Sequence, residues 1–254
     1  ADGRLAISSS GDETITVWDV TTGRELHTLT GSIMALSVDR RLAVSASTDT
    51  IKVWDVATGR ELHTLAGHNI EDVALSADGR LVVSASRDHI LKVWDVGTGR
   101  ELHTLTGHSE WVTDVVLSTD GHLAVSVSRD DILKVWDVAT GCILHTLTGH
   151  NHLVTGVALS VDGQLAVSAS LDKTLKVWDI PTGRELRTLT GHSKEVNGVA
   201  LSADGQLAVS ASSDKTITVW DVTTGRELHT LTGHNDEVVG VALSADKNLV
   251  VSAS

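Results

Sequence analysis

Histidine, serine, aspartate and tryptophan recur together in this 254-residue chain, and the first three are the ingredients of acyl-transfer catalysis. In the stretch GHSKEVNGVALSADGQLAVSASSDKTITVWDV, residues 191–222, His192 is followed by the pair Ser210 and Ser212, then Asp214 and Trp220. A Ser–His–Asp set could activate its hydroxyl through the imidazole, with the carboxylate orienting the ring. Yet the set returns in every complete copy of this stretch, and an enzyme has no use for a triad per repeat. Catalysis calls for a cluster present once, of unlike residues with perturbed acidity, and the sequence offers none. A second histidine series, His27, His63, His103, His145 and His229, with Arg187 in the fifth of the six places, raises the question of metal. One per repeat on an outer strand keeps these residues too far apart to share an ion at ~2 Å, so they are expected as exposed edge-strand positions. The turns at Arg24, Arg60, Arg100, Arg184 and Arg226 are each followed by glutamate, a self-neutralising surface and not a phosphate site. Cys142 takes the arginine's place in its own turn and reads as an exposed, non-catalytic thiol.

The elements that must position these residues are strands. Within residues 191–222 the segments VNGVALS, LAVSAS and TITVWDV are separated by Ala-Asp-Gly and Ser-Asp-Lys, and the more polar ELHTLTG follows Thr-Thr-Gly-Arg. LAVSAS carries no charge on either face, so both faces are expected to be buried. Val, Ile and Thr dominate the third strand, as suits a pleated surface, and the short turns enforce antiparallel neighbours. A four-stranded meander with two apolar faces has to stack sheet on sheet, and a ring of such sheets is a β-propeller. With the strands named a to d, the b–c turn and the d–a loop fall on one rim, which puts His192 and Asp214 at the same end. Strand counting gives a first sheet of b, c and d, five sheets of four, and a last sheet of a and b. Neither terminus falls at a natural boundary, so the chain is expected to be part of a longer one. Two copies are short: Gly31 to Ser37 and Gly67 to Ser76 span fewer residues than Gly107 to Ser118, the deficit falling in the d–a loop and the start of strand a.

Trp-Asp pairs begin at Trp18, Trp54, Trp94, Trp136, Trp178 and Trp220, at intervals of 36, 40, 42, 42 and 42 residues. Gly-His pairs stand at Gly67, Gly107, Gly149, Gly191 and Gly233. A period near 40 with these two dipeptides resembles the WD40-repeat family over essentially the whole length, and the near-identical copies are similar to the WD40 arrays of bacterial multidomain sensor proteins. The resemblance implies an all-β fold, a β-propeller of four-stranded antiparallel blades. Seven blades with incomplete first and last members are expected; the alternative is a closed six-bladed ring, in which the strand at 248–254 duplicates the one at 4–9. It also implies a structural hydrogen-bond tetrad per blade in place of a triad. The matching sets are His68, Asp88 and Trp94; His108, Asp130 and Trp136; His150, Asp172 and Trp178; and His192, Asp214 and Trp220. Each takes one serine of the pair Ser84/Ser86, Ser126/Ser128, Ser168/Ser170 or Ser210/Ser212. Ser32 stands where a histidine belongs, leaving Asp49 and Trp54; the first blade keeps Asp12 and Trp18, and the last only His234.

In WD40 proteins the loop after Gly-His and the residue before the turn aspartate face the rim around the central channel. By resemblance those positions are Trp111, Thr113, Leu153, Thr155, Glu195, Asn197 and Glu237, with Arg87, Arg129, Leu171 and Ser213. They vary from copy to copy while the scaffold does not, which is where discrimination among partners can be written. Trp111 with Arg129 and Arg87 reads as an interface anchor for an acidic or aromatic segment, with Glu195 and Glu237 placed to accept a basic one. A net charge of −13 argues against nucleic acid, and no run approaches the ~18 apolar residues of a membrane span. The opening Ala-Asp-Gly-Arg has no secretory character, and the single cysteine rules out an intrachain disulfide, so a cytoplasmic setting is expected. Tryptophan supplies every aromatic residue, and such uniformity fits recent copying of one repeat or a consensus-like sequence. The reading is one non-enzymatic propeller domain over 1–254, without cofactor, binding a protein or peptide on its rim, with a fused effector domain outside this segment as a further expectation. A hydrolase or metal-dependent enzyme using the central channel is the alternative.

Overall fold

A computed structural model describes residues 5–9, 14–37, 39, 41–244 and 247–254 of the chain. Their strands, numbered in chain order, fall into seven antiparallel sheets. The first holds β1 (Leu5–Ser9), β2 (Thr14–Asp19) and β3 (Arg24–Thr30); the second β4 (Ile33–Leu36), β5 (Leu42–Ala46), β6 (Thr50–Asp55) and β7 (Arg60–Ala66). The third holds β8 (Ile70–Leu75), β9 (Leu81–Ser86), β10 (Ile90–Asp95) and β11 (Arg100–Thr106); the fourth β12 (Val112–Leu117), β13 (Leu123–Ser128), β14 (Leu133–Asp137) and β15 (Cys142–Leu147). The fifth holds β16 (Val154–Leu159), β17 (Leu165–Ser170), β18 (Thr174–Asp179) and β19 (Arg184–Thr190); the sixth β20 (Val196–Leu201), β21 (Leu207–Ser212), β22 (Ile217–Asp221) and β23 (Arg226–Leu231). The seventh holds β24 (Gly240–Leu243) and β25 (Val250–Ala253). The short d–a loop of the second copy leaves β4 with four residues, where the a strands of the third to sixth sheets have six.

Successive sheets pack face to face, and the a strands of neighbours (β4, β8, β12, β16, β20, β24) lie against one another. The core is therefore divided into interface layers, each shared by two sheets. Between the third and fourth sheets, Val83, Ala85, Leu91, Val93 and Leu105 meet Val112, Val115, Ala124, Trp136 and Val138. The indole thus packs backward onto the preceding sheet, and the same layering holds from the first pair of sheets to the sixth and seventh. Strands that are apolar on both faces are what such stacking requires, since each fully buried Val or Leu stabilises by roughly 1.5–3 kcal/mol over exposure.

Two bulges recur and explain which side chains leave the ladder. In the c–d pairing the register slips at the tryptophan, with Val135 opposite His145 and Trp136 opposite Ile143. The extra residue, Leu144, is turned outward, as are Leu26, Leu62, Leu102, Leu186 and Leu228. In the a–b pairing the slip releases Glu71, Thr113, Thr155 and Asn197. The aspartate of each Trp-Asp pair caps the c–d turn, Asp95 Oδ1 accepting the Thr98 N–H at 2.7 Å and its hydroxyl at 2.6 Å. Among the described residues no helix is long and apolar enough to cross a membrane.

Candidate functional site

In the fourth, fifth and sixth sheets the four residue types close one hydrogen-bonded path. Trp178 Nε1–H donates to Ser168 Oγ at 2.9 Å, Ser168 Oγ lies 2.7 Å from His150 Nε2, and His150 Nδ1 lies 2.8 Å from Asp172 Oδ2. Only one tautomer satisfies every atom: the indole and the Nδ1–H donate, and the serine hydroxyl donates to Nε2. Sets at His108, Ser126, Trp136, Asp130 and at His192, Ser210, Trp220, Asp214 repeat these distances within 0.1 Å. The first serine of each pair is thus the hub. The second works at the turn, Ser170 Oγ accepting the Asp172 N–H at 3.0 Å and donating to the His152 carbonyl at 2.9 Å. Glycine before His192 allows the close approach, because a Cβ on Gly191 would come within 2.9 Å of the Trp220 ring.

The electrostatics follow from enclosure. Burial opposes ionisation of Asp172, but hydrogen bonds from Thr174, His150 and the Asn151 N–H outweigh it and hold the carboxyl at about 2. Asp214, bonded by Thr216, His192 and the Ser193 N–H, is likewise held at about 2. Burial lowers His150, with Asp172 partly offsetting it. The order of groups copies a hydrolase triad, yet Ser126, Ser168 and Ser210 are 0% exposed and their oxygen is covered by an indole. A hydroxyl so placed cannot reach a substrate.

The third sheet departs from the set expected of His68, Asp88 and Trp94. Ser84 still accepts from Trp94 at 3.1 Å and meets His68 Nε2 at 2.9 Å. His68 Nδ1, however, is buried without a hydrogen-bond partner, and Asp88 instead accepts from the Asn69 amide at 2.8 Å. The loop here is two residues shorter, Asn69 adopts a left-handed φ of 55°, and the carboxylate is drawn away from the ring. In the second sheet Trp54 donates to Ser45 at 2.8 Å, and Ser45, lacking an imidazole, donates to the Thr30 carbonyl at 2.6 Å. A cavity of about 420 Å³ opens beside Gly31 and Ser45. Asp12 lies outside the described residues. His234 meets Ser252 at 2.7 Å and Ser254 at 2.8 Å.

Three of the strand-d histidines are not the free edge residues that the sequence suggests. His27, His103 and His145 are half-buried, and each Nε2 reaches the carbonyl of the next sheet's c–d turn: Ala57 at 3.2 Å, Ala139 at 2.9 Å and Pro181 at 3.2 Å. They tie neighbouring sheets together. His229 and Arg187 are exposed, as is Cys142. Among the described residues no three His, Cys, Asp or Glu side chains gather closely enough to hold a metal ion.

On the rim, one backbone contact repeats with changing side chains. The N–H before the turn aspartate donates at 2.9 Å to the carbonyl in the d–a loop, in the pairs Arg87 to Asn69, Arg129 to Trp111, Leu171 to Leu153 and Ser213 to Glu195. Trp111 is half-buried, with the Arg129 guanidinium carbon 4.3 Å and that of Arg87 5.0 Å from the ring centroid. Arg87, from the third sheet, is braced by an ion pair with the bulged Glu71. The bulged residues otherwise point across sheets: Thr155 donates to the Val196 carbonyl at 2.7 Å and Asn197 to the Val238 carbonyl at 2.9 Å. Thr113 stays on its own sheet, 3.5 Å from the Val127 carbonyl. Leu153, Leu171 and Glu195 are half-buried and Glu237 is exposed. Sequence reasoning missed Glu71, Asp72 and Asp114; the signal available was that Asp72 and Asp114 stand where later copies have glycine.

A comparison with curated proteins returns no match for the chain. The family model for the WD domain, G-beta repeat, matches residues 23–55, 59–95, 99–137, 141–179, 183–221 and 225–254. Each of the first five segments starts at the turn before a d strand and ends on the Trp-Asp pair of the following sheet, so six repeats span parts of seven sheets. With the buried tetrads, the stacked four-stranded sheets and six matched repeats, the chain belongs to the WD40-repeat family.

Proposed function

We propose that this chain is a non-enzymatic interaction scaffold or sensor module, a single propeller whose seven sheets stand around one axis and bind a protein or peptide across the rim formed by the d–a and b–c loops. WD40 repeats generally mediate protein–protein scaffolding. The observation that carries the finer reading is the repeated rim contact, in which an unchanging backbone hydrogen bond holds a different side-chain pair on each of the third to sixth sheets. Arg87 and the Trp111/Arg129 pair form a cationic, aromatic start; Leu153 with Leu171 is apolar; Glu195 with Ser213, then Glu237, is acidic. A segment running from acidic through apolar to basic complements that order, with Trp111 as its anchor, since Trp and Arg dominate interface hot spots. Thr113 borders the anchor.

A peptide array presenting acidic–apolar–basic segments beside the same compositions in reversed and scrambled order tests this. The parent protein is expected to select the stated order, and Trp111→Ala to weaken that binding by ~2 kcal/mol, roughly 30-fold, with its melting curve preserved. Equal binding of all orders, or an alanine variant that binds as tightly as the parent, overturns the reading.

A further inference from the structure

Two carboxyl groups occupy a position that is glycine in the last three sheets. Asp72 pairs with Ala85 and Asp114 with Val127 in the a–b ladder, as Gly156 does with Ala169, Gly198 with Ala211 and Gly240 with Ala253. Each aspartate follows a bulge residue on an inner strand and reaches the next sheet. Asp72 Oδ2 accepts the Val115 N–H at 2.9 Å, and Asp114 Oδ2 accepts the Val157 N–H at 2.9 Å. The first contact seats the Asp72 carboxyl on the amide of the residue next to Asp114 on β12, so that the two carboxyls come together at the sheet junction. Ionised carboxylates are acceptors only, so a hydrogen bond between two of them requires a proton on one.

Among the described residues, the strands packed about the pair supply no cation in its place. The strands packed about the pair, β4, β5, β9, β13 and β16, contain no other ionisable side chain, and β12 has none besides Asp114. On β8 itself Glu71 is ion-paired with Arg87, and Arg129 lies over Trp111.

We propose that Asp72 and Asp114 hold one proton between them and that this shared proton clasps the third sheet to the fourth. Burial first, then the charge and hydrogen bond of Asp114, push the Asp72 carboxyl well above the ordinary carboxylate range, and burial raises Asp114 as well. The folded chain therefore keeps a proton that the unfolded chain has released above its ordinary value of 3.8. The clasp contributes fully below that value and is lost as pH rises through the raised folded value. Above it, two carboxylates face each other across the sheet junction and repel. An ion pair at this place would have the opposite pH dependence.

Thermal midpoints of the parent, Asp72→Asn and Asp114→Asn, taken from about pH 4.5 to pH 8.5, test the clasp. An amide retains an oxygen for the Val115 N–H and donates to the remaining carboxylate without borrowing a proton. Asp72→Asn is expected to melt higher than the parent at about pH 8, by roughly 3 °C or more, with the advantage vanishing toward pH 4.5. Asp236→Asn, at an exposed position, controls for the change in net charge. A pH-independent offset, or an equal gain from Asp236→Asn, overturns the proposal. Carbon-13 titration of the parent's aspartate carboxyls reads the same proton without any variant. One carboxyl titrating far above the rest is expected, and a titration in which no carboxyl lies above the ordinary range overturns the proposal.

Discussion

The third sheet and the fifth contain the same tetrad residue types at nearly the same sequence intervals, and only the fifth connects them all. In the fifth, His150 is held between Ser168 and Asp172, and its partner Trp178 is 1% exposed. In the third, a d–a loop shorter by two residues leaves His68 Nδ1 without a partner and turns Asp88 to Asn69, and Trp94 is 4% exposed. The hub serine survives in both, because it and the tryptophan lie on paired strands whose register the turn residues set. The imidazole–carboxylate link joins two loops, so it depends on loop length as well as on residue identity. Tetrad composition is therefore a necessary condition, and loop length decides whether the composition acts.

That contrast can be broken by substitution. The largest effect is expected for His150→Ala, which takes one partner each from the enclosed Ser168 hydroxyl and Asp172 carboxylate and leaves a cavity, and is expected to cost about 3 kcal/mol in denaturant unfolding. Asp172→Asn is expected to cost about 2 kcal/mol, since the amide cannot accept from His150 while also keeping the bonds of Thr174 and Asn151. Asp88→Asn, lacking the imidazole bond, is expected to stay within about 0.5 kcal/mol. Equal costs for the two asparagine variants would show that the third sheet behaves as a complete set. Lengthening the loop after His68 by two residues, to match the fourth sheet, is expected to gain about 1 kcal/mol by giving Nδ1 a partner; an unchanged midpoint would place the defect elsewhere. His145→Ala, which severs the bond to Pro181 O, is expected to cost about 1 kcal/mol, against under about 0.5 kcal/mol for the exposed His229→Ala.

Acid sharpens the same comparison. The depressed carboxyls of Asp172 and Asp214 contribute stability above the ordinary value of 3.8 that is lost as pH falls through about 2. His150, lowered by burial, adds a loss that begins as pH drops below its ordinary 6.5. Hydrogen exchange followed from neutral pH downward is expected to show protection falling in the fifth and sixth sheets, with Asp172→Asn removing most of the pH dependence from the fifth.

The strands are legible in the sequence because a period near 40 residues brings the same turn residues back in each copy and because LAVSAS can only be a segment buried on both faces. The choice between Ser168 and Ser170 is not, since residues two apart point to the same side of a strand and only the indole's position separates them. His145 is misread from sequence for a related reason: its partner, the Pro181 carbonyl, belongs to the next sheet, and one copy read alone contains no neighbours. The rim pairs are placed by resemblance to the family, and the structure adds the backbone bond that joins each pair. The Asp72–Asp114 contact lies beyond single-copy reading altogether, because two successive repeats create it.

The offset between repeat and sheet has a consequence for how such a chain can change length. Each matched segment opens with the outer strand of one sheet and finishes in the next, like a brick laid across the joint of the course below. Gain or loss of one such brick from the middle leaves each remaining sheet with the number of strands it had and every remaining interface with both of its faces, so the array can lengthen or shorten by whole units without exposing a new apolar surface. Staggered tiling makes the number of units the variable and the joint the constant.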